Sequence, residues 1–324
     1  MTLHPAIAAV RRGVRAVLAE TQPGQRIVVA CSGGADSLAL ASAAVFEGHK
    51  AGLAIIGATV DHGLQEGSAA QAERVVGQLA AIGVDETLTA RVTVAADGLG
   101  PEAAAREARY QVLAEIAERT GAALVLLGHT RDDQAETVLL GLARGSGGRS
   151  VAGMRRGFEV FRRPLLDVTR DDTAEACLIE GLDAWADPHN EDPGYARVRV
   201  RKQVLPVLED ALGPGVSAAL ARTAELLRPD MEFLDELAAL SLRECAGSDG
   251  LSVQALAGLP QALRTRVLRA AAVAAGALDA ELAYEHVTAM DALVTGWRGQ
   301  RWIDLPGHLR ALRADGEIRF QPSM

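Results

Sequence analysis

The chain has almost no lysine. Lys50 and Lys202 are the only two among 33 basic residues, and every other cation is an arginine. A Walker A loop ends in Gly-Lys-[Ser/Thr], and that ending is absent. Cysteine is nearly as rare: Cys31, Cys177 and Cys245 stand far apart, with no Cys-x-x-Cys pair. This excludes a disulfide framework and a thiolate zinc site, and fits a reducing, cytoplasmic compartment. Cys31, which closes an apolar run, reads as a small buried hydrophobe. No apolar stretch approaches the ~20 residues of a membrane span, so no membrane partner is expected. A signal peptide is not expected either. Leu3, Ile7, Val10, Val14, Val17 and Leu18 keep helical spacing with Arg11, Arg12 and Arg15 between them, which is the pattern of an amphipathic helix on a core.

Apolar residues are plentiful, at 49% of 324 residues, which is ample for a core and suggests two domains. Short apolar strands alternate with helices. Strands are expected at 27–31, 53–60, 86–94 and 122–127, and helices at 38–46, 68–82, 101–120 and 131–142. The expected fold class is α/β, a doubly wound parallel sheet with a second, smaller, mainly helical domain. Leu212-Gly213-Pro214-Gly215 marks the boundary, giving domains of 1–211 and 216–324. Residues 145–157, rich in glycine and arginine, read as a mobile loop. Pro306-Gly307 and Asp315-Gly316 point to a short β-hairpin tail.

The net charge of −9 argues against a surface that binds any polyanion. Arginine is nevertheless concentrated at 144, 149, 155, 156, 162 and 163, with Glu159 as the single acid among them, and again at Arg197, Arg199, Arg201 and Lys202. Such local patches can hold specific phosphates, although the first cluster is equally consistent with a solvated loop.

The most informative stretch is Ser32-Gly33-Gly34-Ala35-Asp36-Ser37, between the run Ile27–Cys31 and a helix. Glycines let the backbone turn and aim N–H groups at a ligand, and the helix start adds unpaired N–H groups and a positive dipole end. Two hydroxyls complete a phosphate cradle. Asp36 cannot touch phosphate without a cation between them. In parallel sheets ligands sit beyond the carboxyl ends of the strands, where this loop, Asp61-His62 and Gly128-His129 all fall, so one cleft is implied. Asp132, Asp133 and Glu136 open the helix after the 122–127 strand. Spacings of three and four put Glu136 on one face with both aspartates. Helix capping favours such acids too, but grouped beside a phosphate loop they suit Mg²⁺ or an ammonium.

The loop resembles that of PP-loop ATP pyrophosphatases, and the remaining motifs narrow the resemblance to the tRNA(Ile)-lysidine synthase family. They run through about two-thirds of the chain: Val60-Asp61-His62-Gly63-Leu64, Glu102-Ala103-x-x-Arg106-x-x-Arg109-Tyr110, Asp132-Asp133-Gln134-Ala135-Glu136-Thr137, Arg144-Gly145-Ser146-Gly147, Arg163-Pro164-Leu165-Leu166, Asp187-Pro188-x-Asn190 and Tyr195-x-Arg197-x-Arg199-x-Arg201. Gln65, Gly100 and Val198 depart from the family's pattern.

The resemblance implies ATP-dependent ligation of L-lysine to C2 of the wobble cytidine in an isoleucine tRNA with a CAU anticodon, through an adenylated tRNA, with ATP and Mg²⁺ as cofactors. Ser32, Gly33, Gly34, Ala35, Asp36, Ser37, Asp61, His62 and His129 would bind ATP. Asp36 and Asp133 would hold the metal, while Asp133 and Glu136 share it or bind the lysine ammonium. Arg106 joins Asp36, Asp133 and Glu136 as a catalytic candidate. Arg109, Arg144, Arg149, Arg155, Arg197, Arg199 and Arg201 would contact tRNA, although surface salt bridges suit Arg106 and Arg109 equally well. Homodimerisation is left open. The rival readings are a thiolating PP-loop enzyme, against which three scattered cysteines argue, and a non-catalytic nucleotide-binding module.

Overall fold

The computed structural model describes residues 3–61, 68–91, 101–145, 147–187, 191–279 and 281–323, with the side chains of 101–106 left aside. The chain divides into two compact units, Met1–Thr137 with Met154–Ala221, and Val138–Gly153 with Arg222–Met324.

The first unit begins with α1 (Pro5–Leu18), β1 (Arg26–Ala30), α2 (Ala35–Lys50), β2 (Ala54–Asp61), α3 (Ser68–Ile82), β3 (Glu86–Arg91), α4 (Pro101–Thr120), β4 (Ala122–Leu126) and α5 (Arg131–Ala143). The division falls inside α5. α6 (Gly148–Val151) belongs to the second unit, and β5 (Gly157–Phe158), β6 (Phe161–Arg162), α7 (Arg170–Glu180), α8 (Ala196–Arg199), a π-helical turn (Val200–Val204) and α9 (Leu205–Leu212) return to the first.

The sheet of the first unit is six-stranded in the order β3-β2-β1-β4-β6-β5. β1 pairs in parallel with β2 and β4, aligning Val28 with Ile56 and Val125, and only β5 runs antiparallel to its neighbour. Alternation along the strands gives each face its own core. Ile27, Val29, Leu124 and Leu126 pack with α1, α2, α3 and α7, while Val28, Val125 and Leu127 pack with Leu113, Ile116 and Ala117 of α4 and with Phe161. Burial on both faces explains why β1 and β4 read as continuous apolar runs. α1 buries Ile7, Val10, Val14 and Leu18, as its spacing predicts. The order reverses between β1 and β4, so the connections leaving their C-terminal ends diverge and leave a crevice.

The second unit holds α10 (Val216–Glu244, from Arg222 onward), β7 (Leu251–Ser252), α11 (Val253–Gly258), α12 (Gln261–Ala274), α13 (Tyr284–Thr295), β8 (Ile303–Leu305), β9 (Leu309–Ala314) and β10 (Glu317–Pro322). Its strands form a four-stranded antiparallel sheet in the order β7-β10-β9-β8, around Leu256, Leu268, Met290, Leu293, Ala311 and Ile318. The expected hairpin is therefore part of a larger sheet. The stretch read as a loop carries α6, entered through Gly147 at φ 79°. Among the described residues no single helix is long and apolar enough to cross a membrane.

Candidate functional site

The crevice of the first unit is lined by the segments leaving β1 and β4. Cys31 continues the β1 pairing through its N–H to Ala58 O, and the chain then turns at Gly33 with φ +85°. A β-carbon there would lie 2.7 Å from Val75 Cγ2 and 2.8 Å from Gln71 Nε2, so both the conformation and the space require glycine. Gly34 caps α2 in an extended conformation, with no side chain bonded to the helix start. Ser37 ties the loop together: its hydroxyl accepts from Ser32 N–H at 3.2 Å and donates to Gly34 O at 2.9 Å. Ser32 Oγ lies 3.3 Å away and is exposed. Gly128, after β4, lets that segment approach α2, because a β-carbon would sit 3.2 Å from Ser37 N. A glycine-turned loop ending in an uncapped helix N-terminus fits a phosphate group.

Beside the loop, acids and arginines interlock. Asp36 Oδ1 accepts from Thr173 Oγ1, and Oδ2 is 3.8 Å from Arg170 Nε. Burial, reinforced by Asp133, pushes the Asp36 carboxyl up to about 6 against the opposing effects of Thr173 and Arg170. Asp133 Oδ2 accepts from Thr130 N–H at 2.8 Å and Thr130 Oγ1 at 3.0 Å, while Oδ1 accepts from Arg170 Nη2 at 2.9 Å. Burial alone would raise Asp133, but Arg170 and the bonds from Thr130 hold it below the usual carboxylate value. Glu136 is wholly buried, and its Oε1 accepts from Arg201 Nε at 2.7 Å and from Arg170 at 3.3 Å. Arg197 Nη1 approaches Glu136 Oε2 at 3.8 Å.

The other expected residues are distributed as follows. Asp61 ends β2, is buried, and has Arg91 Nε 3.9 Å from its Oδ2. His129 accepts at Nδ1 from Arg163 Nε at 3.2 Å, which places the proton of a neutral ring on Nε2. Arg109 is exposed on α4, and Arg106 lies on the same helix with its side chain outside the described atoms. Arg199 donates to Pro193 O at 2.7 Å and Gly194 O at 2.8 Å. Arg155 offers its carbonyl to Arg163. Arg144 and Arg149 belong to the second unit, where Arg149 Nη2 pairs with Asp235 Oδ1 at 2.8 Å. His62 lies outside the described residues. Among these no three His, Cys, Asp or Glu side chains are grouped to hold a metal ion. Of the two expected metal ligands, Asp36 is the less committed to arginine.

Sequence reasoning missed Arg170 and Thr173, and named Arg163 only within a motif and an arginine cluster. Arg163 is buried and donates to His129, to Tyr110 Oη at 2.9 Å and to a backbone carbonyl, with its guanidinium 5.0 Å above Phe158. Arg170 did carry a signal. It is the only arginine or lysine between Asp167 and Asp192, and it follows Thr169, whose capping box with Asp172 starts α7.

A parallel sheet with this loop at its reversal point defines the PP-loop class of nucleotide-binding folds. The PP-loop domain family model matches residues 8–208, and the TilS substrate binding domain model matches residues 251–319. The tRNA(Ile)-lysidine synthase of Thermobifida fusca is 53% identical, covering 97% of this chain and 97% of its own. That of Salinispora tropica is 53% identical over 98% and 96%. The U34-tRNA thiolase NcsA from Methanococcus maripaludis, solved with its [4Fe-4S] cluster, shares the fold with TM-score 0.58 and 20% identity, over 69% of this chain and 80% of that one. The chain belongs to the tRNA(Ile)-lysidine synthase family.

Proposed function

We propose that the chain ligates lysine to C2 of the wobble cytidine in the CAU anticodon of an isoleucine tRNA, driven by ATP. The observation that carries this reading is the meeting, in one crevice, of a phosphate loop and a buried carboxylate pair, Asp133 and Glu136, in a member of this family. The cytidine C2 oxygen attacks the α-phosphorus of ATP and pyrophosphate leaves. The ε-amine of lysine then forms the C2–N bond as AMP departs with that oxygen, and the proton lost by the amine passes to a carboxylate. Loop N–H groups and Ser32 hold the departing pyrophosphate. Mg²⁺, when bound, would offset the charge developing there, with Asp36 as its protein ligand. Asp133 and Glu136 receive the lysine ammonium and supply the general base.

The tRNA contacts of Arg109, Arg144, Arg149, Arg155, Arg197, Arg199 and Arg201 belong to this proposal, and so does a catalytic domain of 1–211 followed by a domain of 216–324 that contacts more of the tRNA. A thiolating chemistry is less well served. Cys31 and Cys177 are buried, their thiols donate to Ser37 Oγ and Ala35 O, and burial pushes Cys177 up to about 12. The first step is tested by mixing protein, γ-labelled ATP and a CAU-bearing tRNA transcript without lysine. RNA-dependent release of labelled pyrophosphate is expected, and hydrolysis indifferent to RNA would contradict the reading.

A further inference from the structure

The carboxylates assigned to the incoming lysine are already taken by the chain itself. Glu136 has no exposed surface, and both its oxygens accept from Arg201, at 2.7 Å from Nε and 3.1 Å from Nη2. Arg201 Nη2 is also 3.5 Å from Asp133 Oδ1. With Arg170 on Asp36, Asp133 and Glu136, and Arg197 beside Glu136, three guanidinium groups face three carboxylates. Both carboxylates assigned to the amine thus have guanidinium partners before any substrate amine arrives. A substrate ammonium would lose its hydration there and find Asp133 and Glu136 already paired with guanidinium groups. An amine therefore enters by replacing one of the arginines.

The two principal occupants are anchored differently. Arg170 opens α7, donates its backbone N–H to Asp132 Oδ2 at 2.8 Å, and follows the capping residue Thr169. Thr173, one turn later, is bonded to Asp36. These bonds fix the Arg170 backbone at the helix start. Arg201 instead sits inside the π-helical turn Val200–Val204. Such turns are uncommon, concentrate at functional sites, and return to α-helical winding by shifting the chain one residue. One residue is about 100° of rotation about a helix axis, enough to carry a side chain off the face it occupied. Arg197 lies four residues earlier on the same face, and Arg199 and Lys202 extend the basic surface that a polyphosphate chain would meet.

We propose that Arg201 is a built-in occupant of the amine subsite, and that RNA phosphates draw it off Glu136 together with Arg197. Lysine then binds tightly only to the RNA-loaded protein. This rests on the lysine reading above. The exchange conserves charge: a guanidinium leaves the buried carboxylate for a phosphate, and an ammonium takes its place. Because coupling between two ligands is reciprocal, lysine must tighten RNA binding by the same factor.

Equilibrium dialysis of radiolabelled lysine, without ATP, tests this on the full chain with and without a CAU-bearing isoleucine tRNA. Wild type should bind lysine at least ~10-fold more tightly when the RNA is present, within the usual range of coupling between sites. Arg201→Gln should bind lysine almost equally in both states. Arg201→Lys, which keeps a cation in the subsite, should retain the RNA dependence. Should Arg201→Gln fail to fold, the wild-type pair and the reciprocal measurement, RNA affinity with and without lysine, decide the matter. Equal lysine affinity of wild type in both states overturns the proposal and leaves lysine as substrate. No lysine binding in either state overturns the lysine reading itself.

Discussion

Asp36 carries an energetic cost that its proposed role explains. Its carboxyl sits at about 6 because it is buried, with Asp133 adding repulsion. The folded state therefore holds the Asp36 proton more tightly than the unfolded chain, where it leaves near 4. Stability contributed by that proton is complete below about pH 4 and is lost as pH rises through about 6. Asp36→Asn should accordingly stabilise the fold by about 1–2 kcal/mol at pH 7.5, with the gain vanishing near pH 4, as thermal melts across pH would measure. The same variant should release no pyrophosphate. Wild-type activity should fall as pH drops through about 6, where protonation removes the group assigned to the metal. Arg170 is the opposite case: removing it leaves Asp133 and Glu136 short of a partner, and Arg170→Met should cost about 3–5 kcal/mol in denaturant melts. Asp36, Asp133 and Glu136 were legible because their motifs are local. Arg170 carried only its isolation among acids as a signal, because Glu136 and Asp133 lie 34 and 37 residues away and only the fold brings them to it.

At the scale of elements, the start of α7 shows how local chemistry positions the site. Thr169 Oγ1 accepts from Asp172 N–H at 2.9 Å, while Asp172 Oδ2 accepts in return from Thr169 N–H at 3.2 Å. Thr169→Ala should lower stability by about 1 kcal/mol and, by loosening Arg170, should reduce activity more than that loss alone explains. A parallel comparison with Thr295→Ala, a hydroxyl of the second unit that donates to Asp291 O of its own helix, provides the control. The alternation of β1 to β4 with α2 to α5 was legible because each apolar run and helical period is long enough to be seen. β5, β6 and β7 were not legible, at two residues each, since so short a strand has no period and exists only through its partner. α6 was hidden in the same way, because its four residues lie among glycines. The Asp315-Gly316 turn between β9 and β10 was visible because its residues impose a turn by themselves, Asp315 at φ 50° and Gly316 at φ 77°.

For the whole molecule, a net charge of −9 with arginine gathered in two stretches favours contact with a defined polyanion over contact with any polyanion. Arg199→Ala should weaken tRNA binding across sequences and reduce the slope of log affinity against log salt by about 1, as filter binding at several salt concentrations would show. Lysine scarcity leaves this work to guanidinium groups, which pair with phosphate through two parallel hydrogen bonds. In the proposed reaction one crevice activates a tRNA base with ATP and joins lysine to it. Its most direct test is incorporation of radiolabelled lysine into an isoleucine tRNA transcript bearing CAU, with ATP and Mg²⁺, by wild type and Asp36→Ala. Label in the tRNA with wild type and none with Asp36→Ala is the expected result. ATP consumed by wild type with no lysine reaching the tRNA would contradict it.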